Sequence, residues 1–214
     1  MTSVHENDAP TRLPTLETAR LTIRRFQTGD LDPIHRILDV ELANANFGDA
    51  GAKSRDGRER WLRWTILGYD ELELLYQPPY GDRAVVAKET GELIGAAGFV
   101  PSLAPFDQLP AWVRSPSPAR ARMRPEVGLY YALAPSQQRR GYAAEAAAAL
   151  VDWAFRHLDL ARIVATTTDD NAASIAVMRR LGMSIQRNPL DEPPWFQIVG
   201  VLESSPGRLS TAGR

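Results

Sequence analysis

The 214-residue chain contains no cysteine. Disulfides, thiolate metal sites and a cysteine nucleophile are therefore excluded together, and the chain suits a reducing compartment. Neither sign of charge is in excess: 25 Lys and Arg oppose 26 Asp and Glu, for a formal net charge of -1. Nucleic acids and anionic membranes both reward a basic surface, so neither DNA nor a membrane is an expected partner. No apolar run approaches the length needed to cross a bilayer, and the first residues, MTSVHENDAPTRLPTLE, lack a basic segment followed by an apolar one. A cytoplasmic protein is the expectation. Histidine is scarce: His5, His35 and His157 pair with no nucleophile or metal-ligand partner, so no metal centre is expected. His157, near the end of a helix, is explained by the helix dipole.

What remains is an ordinary globular composition, 44% hydrophobic and 24% charged, in a chain long enough for one domain with a substantial core. Residues 1–15 and 204–214 are polar and carry Pro or Gly, which reads as flexible tails around a domain at 16–203. RLTIRRF alternates as a strand does, and TGDLDPIHRIL opens a short helix with Thr28 or Asp30 as its cap and Leu31, Ile34, Ile37 and Leu38 as its apolar stripe. In RDGRERWLRWTILGYDELELLYQ, residues Leu62, Ile66, Tyr69, Leu72 and Tyr76 fall at helical spacing until Pro78 and Pro79 stop the helix.

DRAVVAKETGELIGAAGFV and PEVGLYYALAP are β-rich, with ETGE as a hairpin turn, so an antiparallel meander is expected. The stretch 101–124 between them is too long and proline-rich for an ordinary connection and reads as a mobile loop. Then come a helix at Tyr142–His157, a strand ARIVATTT, a helix from Asn171 to Leu181, and strands MSIQR and WFQIVGVLE. That alternation implies parallel crossovers in this half.

The most unusual segment is QQRRGYAAEAAAAL, residues 137–150. Its helix puts Ala144, Ala147, Ala148, Val151, Phe155 and Leu158 on one face, which suits close packing on a sheet. A helix start leaves about four N–H groups without internal partners and carries roughly half a positive charge. No Ser, Asp or Asn stands immediately before Gly141 to cap it. Gly141 admits a bulky group close to the backbone, and Arg139 and Arg140 add charge-assisted donors. Two readings fit these residues: a phosphate or pyrophosphate site, or a solvated basic helix start. The string lacks both the GKS or GKT ending of a P-loop and the three spaced glycines of a dinucleotide loop.

With its context, LYYALAPSQQRRGYAAEAAAALVDWAF resembles motif A of the GNAT superfamily of acyl-CoA-dependent N-acetyltransferases, with Gln138, Gly141 and Ala143 at the signature positions. NAASIAVMRRLGM is similar to the companion motif, supplied by Asn171, Ser174, Gly182 and Met183. LETARLTIRRFQTGDLDPIHRIL resembles the opening of the branch that contains the ribosomal-protein N-terminal acetyltransferases. The resemblance implies an α/β (α+β) fold, a single domain whose mixed, mostly antiparallel central sheet is splayed in the middle, with helices on both faces. It also implies acetyl-CoA as co-substrate. The pyrophosphate would be cradled by Gln138, Arg139, Arg140, Gly141, Tyr142, Ala143 and Ala144, and the pantetheine arm would pair with the backbone at Leu133 and Ala134.

The implied chemistry is direct attack of a free amine on the thioester, which needs a base, an oxyanion donor and an acid near the departing sulfur. By resemblance Glu126 is the base and the Leu133 N–H the oxyanion donor. The competing reading of Glu126 is a strand carboxylate paired with an arginine such as Arg122 or Arg124. Many relatives place a tyrosine seven residues after the companion Asn, but Met178 stands there and cannot donate a proton. Ser174 is the substitute acid, or simply a helix-start hydrogen bonder; Asn171 touches the cofactor arm, or only caps the helix. Trp61, Trp64, Trp195 and Phe196 read as core or cleft wall. The expected activity is acetyl transfer to a primary amine of a small molecule or a protein N-terminus, by a monomer or homodimer. The alternative is an inactive acyl-CoA-binding sensor or partner subunit. A third reading, association with RNA, draws only on Arg114, Arg120, Arg122 and Arg124.

Overall fold

The computed structural model describes residues 12–44, 51–112 and 123–204. Strand β1 (Leu16–Glu17) pairs with β2 (Leu21–Arg24), which buries Leu21 and Ile23. Two residues are too few to show a period, so β1 has no signature in the sequence. Leu13, inside the expected N-terminal tail, is buried at 2% exposure, so the ordered domain begins earlier than 16. Residues 1–11 and 205–214 of the expected tails lie outside the described residues.

The first helical segment is a composite: a 3-10 turn (Thr28–Asp30), α1 (Leu31–His35) and a π-helical turn (Arg36–Glu41). Asp30 holds its start, accepting the Gln27 N–H at 2.8 Å and both Arg24 Nη atoms at 2.7 and 2.8 Å. Ile34, Ile37 and Leu38 are buried as their spacing demands. Helix α2 (Arg55–Leu74) starts at Ser54, whose hydroxyl accepts the Gly57 N–H at 3.2 Å. Leu62 and Tyr69 face inward, but Tyr76 does not continue the stripe. The helix ends at Leu74, and Tyr76 turns to φ 52 at 74% exposure, two residues before Pro78.

Arg58 of α2 reaches the π-helical turn and forms a bidentate pair with Asp39, at 2.7 and 2.8 Å, with both side chains nearly sealed from water. Burial alone would raise the Asp39 carboxyl, but its bonds to Arg58 and to the Lys53 N–H outweigh that and hold it below the usual range.

The remaining strands are β3 (Gly81–Ala87), β4 (Leu93–Ala104), β5 (Arg124–Leu133), β6 (Arg162–Thr167), β7 (Ser184–Arg187) and β8 (Ile198–Glu203). They form one eight-stranded sheet in the order β1-β2-β3-β4-β5-β6-β8-β7. All neighbours are antiparallel except β5 and β6, which run parallel and meet at Gly128 and Val164 alone. Beyond that point the two strands part, so the sheet is splayed in the middle. Helices α1 and α2 cover one face through Ala84, Ala96 and Ala132. Helices α3 (Tyr142–His157) and α4 (Ala172–Arg180) cover the other through Ala97, Phe99, Leu129 and Met178.

Two expectations need correction. On α3 the buried stripe runs through Ala146, Ala147, Leu150, Val151 and Ala154, and Ala148 is exposed. The stretch 101–124 is not a loop throughout: β4 continues to Ala104, and Phe106 and Leu109 are fully buried against Phe196 and Val199. These apolar residues anchor the first half of the connection to the sheet, and Arg124 already begins β5 beside Asp107. Residues 113–122, with Arg114, Arg120 and Arg122, lie outside the described residues. His157 stacks on Trp153 with ring centroids 5.1 Å apart, and its Nδ1 sits 2.9 Å from the Trp153 carbonyl.

Candidate active site

The gap between β5 and β6 opens into a cleft of about 1150 Å³. Its walls are β5 from Gly128 to Leu133, β6 from Val164 to Thr167 with Thr168 after it, the start of α3 and the exposed side of α4, together with Leu42, Val100 to Leu103 and Trp195.

The α3 terminus is built for a charged guest. Gly141 is the N-cap at φ 84, and no side chain among the described residues caps the helix. The first helical bond is Glu145 N–H to the Gly141 carbonyl, so the N–H groups of Tyr142, Ala143 and Ala144 precede the helical ladder. Arg139 also takes a left-handed conformation, φ 61, which is uncommon for a residue with a Cβ. Two left-handed residues just before a helix start are a backbone form that anion-binding turns use.

The arginines divide into tethered and free. Arg140 bonds Gln137 through Nη1 at 2.9 Å, and Arg20 spans from the Glu145 carboxylate to the Arg140 carbonyl while lying 4.5 Å over the Tyr142 ring. Burial would raise the Glu145 carboxyl, but hydrogen bonds from Thr18 and Arg20 hold it below its ordinary range. Arg139 and Arg180 line the cleft and make no side-chain hydrogen bond or ion pair among the described residues. A Cβ on Gly141 would lie 3.4 Å from Arg20 Nη2 and 3.5 Å from Arg180 Nη1, so the glycine sits in the fork between two guanidinium groups.

Gln138 closes the turn from below, its Nε2 donating to the Leu133 carbonyl at 3.0 Å. Ala134 is already committed: its N–H donates to Ile94 and its carbonyl accepts from Gln137. Of the expected backbone pairing at Leu133 and Ala134, the Ala134 N–H is therefore already taken. Backbone groups alternate sides along a strand, so the Leu133 N–H faces away from β4, toward the gap.

Asn171 caps α4, its Oδ1 accepting the Ser174 N–H at 3.0 Å, and it also lines the cleft. The Tyr131 phenol donates its one hydrogen to the Ser174 carbonyl at 3.2 Å, and its oxygen lies 2.9 Å from Ser174 Oγ, whose hydroxyl is then the donor in that contact. Met178 points the other way: it is fully buried, against Gly200. Glu126 is not among the cleft-lining residues. It pairs with Arg162 at 3.2 Å, while Arg124 pairs with Asp107 and Arg122 lies outside the described residues; its strand partner Ser102 does line the cleft. Burial pushes the Glu126 carboxyl above its usual range, although Arg162 pulls the other way.

Of the tryptophans and phenylalanine expected as core or wall, Trp195 lines the cleft, Phe196 is core, Trp61 packs edge-on to Phe26, and Trp64 is 68% exposed on α2. Sequence reasoning missed Arg20, Arg180 and Tyr131. The arginines come from segments 120 residues upstream and 40 downstream of Arg140 and had no local signal. Tyr131 had one, since it alternates in phase with Leu129 and Leu133.

Residues 20–184 match the family model described as an acetyltransferase (GNAT) domain. The chain is 27% identical over 170 residues to YoaA of Bacillus subtilis, described as an uncharacterized N-acetyltransferase, covering 79% of this chain and 82% of that protein. An acetyltransferase from Agrobacterium tumefaciens superposes with a TM-score of 0.66 at 23% identity, over 95% of this chain and 99% of the other. A ribosomal-protein alpha-N-acetyltransferase, RimL, solved in complex with coenzyme A, gives a TM-score of 0.57 at 18% identity, over 86% and 93% of the two chains.

Proposed function

The chain belongs to the GNAT acetyltransferase family, and from that premise we propose that it transfers the acetyl group of acetyl-CoA directly to a primary amine. The observation that carries this reading is the uncapped α3 terminus, with Arg139 and Arg180 beside it, opening onto the gap between β5 and β6. That donor set fits a diphosphate: backbone N–H groups, a glycine with no side chain in the way, and guanidinium groups without acidic partners among the described residues. Gln138, Tyr142, Ala143 and Ala144 complete it, while Arg140 acts through its tie to Gln137. The Leu133 N–H is the oxyanion donor, and Asn171 borders the arm. The acceptor, a small-molecule amine or a protein N-terminus, enters from the wall formed by Leu42, Val100 to Leu103 and Trp195. The relation to a protein alpha-N-acetyltransferase supports the second kind of acceptor.

Glu126 is the proposed base, acting through water from beside Ser102; its raised pKa suits a carboxylate that must take a proton near neutrality. Replacing it with glutamine should lower kcat about a hundredfold, with coenzyme A affinity retained. Thiol release from acetyl-CoA with a panel of amines measures the first, and calorimetry the second. An unchanged rate would remove Glu126 from the mechanism. The burial of Met178 favours a second reading, an acyl-CoA-binding protein without turnover, which predicts binding but no thiol release with any amine.

Gly141→Val is expected to weaken coenzyme A binding about 10- to 100-fold. The branched side chain must adopt φ near 84, at a cost of about 1–3 kcal/mol, and it enters the fork between Arg20 and Arg180. Titration calorimetry reads the change. Equal affinity in both proteins would move the diphosphate elsewhere.

A further inference from the structure

We propose that the Tyr131 phenol is the proton donor to the departing sulfur, held in place by Ser174. The inference rests on the acetyl-transfer reading and supplies the acid that Met178 cannot be. Tyr131 and Ser174 both line the cleft, one from β5 and one from the first turn of α4, and their oxygens lie 2.9 Å apart across the gap. The position one helical turn further along α4 is closed to this chemistry, because Met178 is packed into the core.

Of the two hydroxyls the phenol is the better acid. Its ordinary pKa, about 10, lies close to that of an alkyl thiol, about 8.5, whereas an aliphatic hydroxyl holds its proton throughout the pH range of proteins. Burial raises the Tyr131 phenol, partly offset by its bond to Ser174, so the proton is present at neutral pH, as an acid requires. The second phenol contact, to the Ser174 carbonyl at 3.2 Å, fixes the ring's direction from a helix backbone rather than from a mobile side chain.

The step balances without another reactant. The amine nitrogen forms a bond to the thioester carbonyl carbon and loses a proton to the base. The tetrahedral adduct collapses, the C–S bond breaks, and its electron pair goes to sulfur. The phenol hydrogen, at rest on the Ser174 carbonyl, turns to the sulfur and is taken up to give the free thiol, and the phenolate regains a proton from water in the open cleft.

The test uses the full chain as wild type, Tyr131→Phe and Ser174→Ala, with two readouts. In kinetics, Tyr131→Phe is expected to lose about a hundredfold in kcat and to lose the alkaline limb of the kcat profile. Ser174→Ala should keep that limb, displaced upward, because the bond that lowers the phenol's pKa is gone. In binding, calorimetry compares coenzyme A with desulfo-coenzyme A from pH 7 to 10. A phenol donating to sulfur favours the thiolate, so the wild type should gain affinity for coenzyme A over the desulfo compound as the thiol ionises. Tyr131→Phe should show no such gain. An alkaline limb and a sulfur preference that survive in Tyr131→Phe would overturn the proposal, as would their loss in Ser174→Ala alone, which would make the serine the acid. Failure of the wild type to bind either compound would instead bring down the acetyl-CoA reading, and this inference with it.

Discussion

Replacing Arg58 with methionine is expected to lower the free energy of unfolding by about 3–5 kcal/mol, the cost of leaving one member of a buried ion pair alone. The side chains of Arg58 and Asp39 are 7% and 1% exposed, and the two hydrogen bonds between them are short and bidentate. Methionine fills much of the same space but leaves Asp39, among the described residues, with the Lys53 N–H as its remaining donor. Urea unfolding at pH 7 measures the loss.

Two controls separate this cause from lost packing. The double variant Asp39→Asn with Arg58→Met should recover part of the loss, since neither charge is then stranded. The pH dependence should also change sign. In the wild type the Asp39 pKa is depressed, so its contribution is present above the unfolded value and fades as pH falls through the folded one. In Arg58→Met burial dominates and raises the folded value, so the Asp39 penalty is largest at neutral pH and shrinks on acidification. A loss independent of pH and unrelieved in the double variant would assign the effect to packing against Trp61, whose ring lies 4.6 Å from the guanidinium.

Gly95→Ala is expected to cost at least about 3 kcal/mol, at the upper end of overpacking effects. Gly95 faces Leu133 across the β4–β5 ladder. A Cβ there would lie 2.2 Å from the Ala132 carbonyl oxygen and 2.8 Å from the Leu133 Cα, both backbone atoms that move only if the two strands separate. Such separation would also displace the Leu133 N–H and the Gln138 bond that closes the turn before α3. Thermal unfolding should therefore shift down while coenzyme A affinity falls in the protein that remains folded. A stable variant with unchanged affinity would show that the strands part more easily than the ladder implies.

The fold was legible wherever a periodic signal ran long enough. β3, β5, α2 and α3 stand close to their expected limits, because alternation or helical spacing is sustained over many residues, while β4 runs four residues past its expected end. β1 has no period to show. Stretch 101–124 was misread because its prolines outweighed Phe106 and Leu109, two isolated apolar residues whose burial depends on a sheet half a chain away. The α3 terminus was visible because helix, glycine and missing cap are all local. Arg180 and the Tyr131–Ser174 pair were not, since each arises from segments more than 35 residues apart that only the folded sheet brings together. Ala134 shows the reverse: its place in the motif was readable, while its commitment to Ile94 and Gln137 was not.

The meeting of β5 and β6 at a single residue pair has a thermodynamic corollary. With so thin a backbone seam between them, the leaf made of β1 to β5 and the leaf made of β6 to β8 are joined by side-chain packing, under α3 on one face and through Phe106 and Leu109 on the other, so they need not melt as one cooperative block. A molecule lodged between the leaves acts as a rivet, and saturating it should draw two staggered hydrogen-exchange regimes toward a common protection.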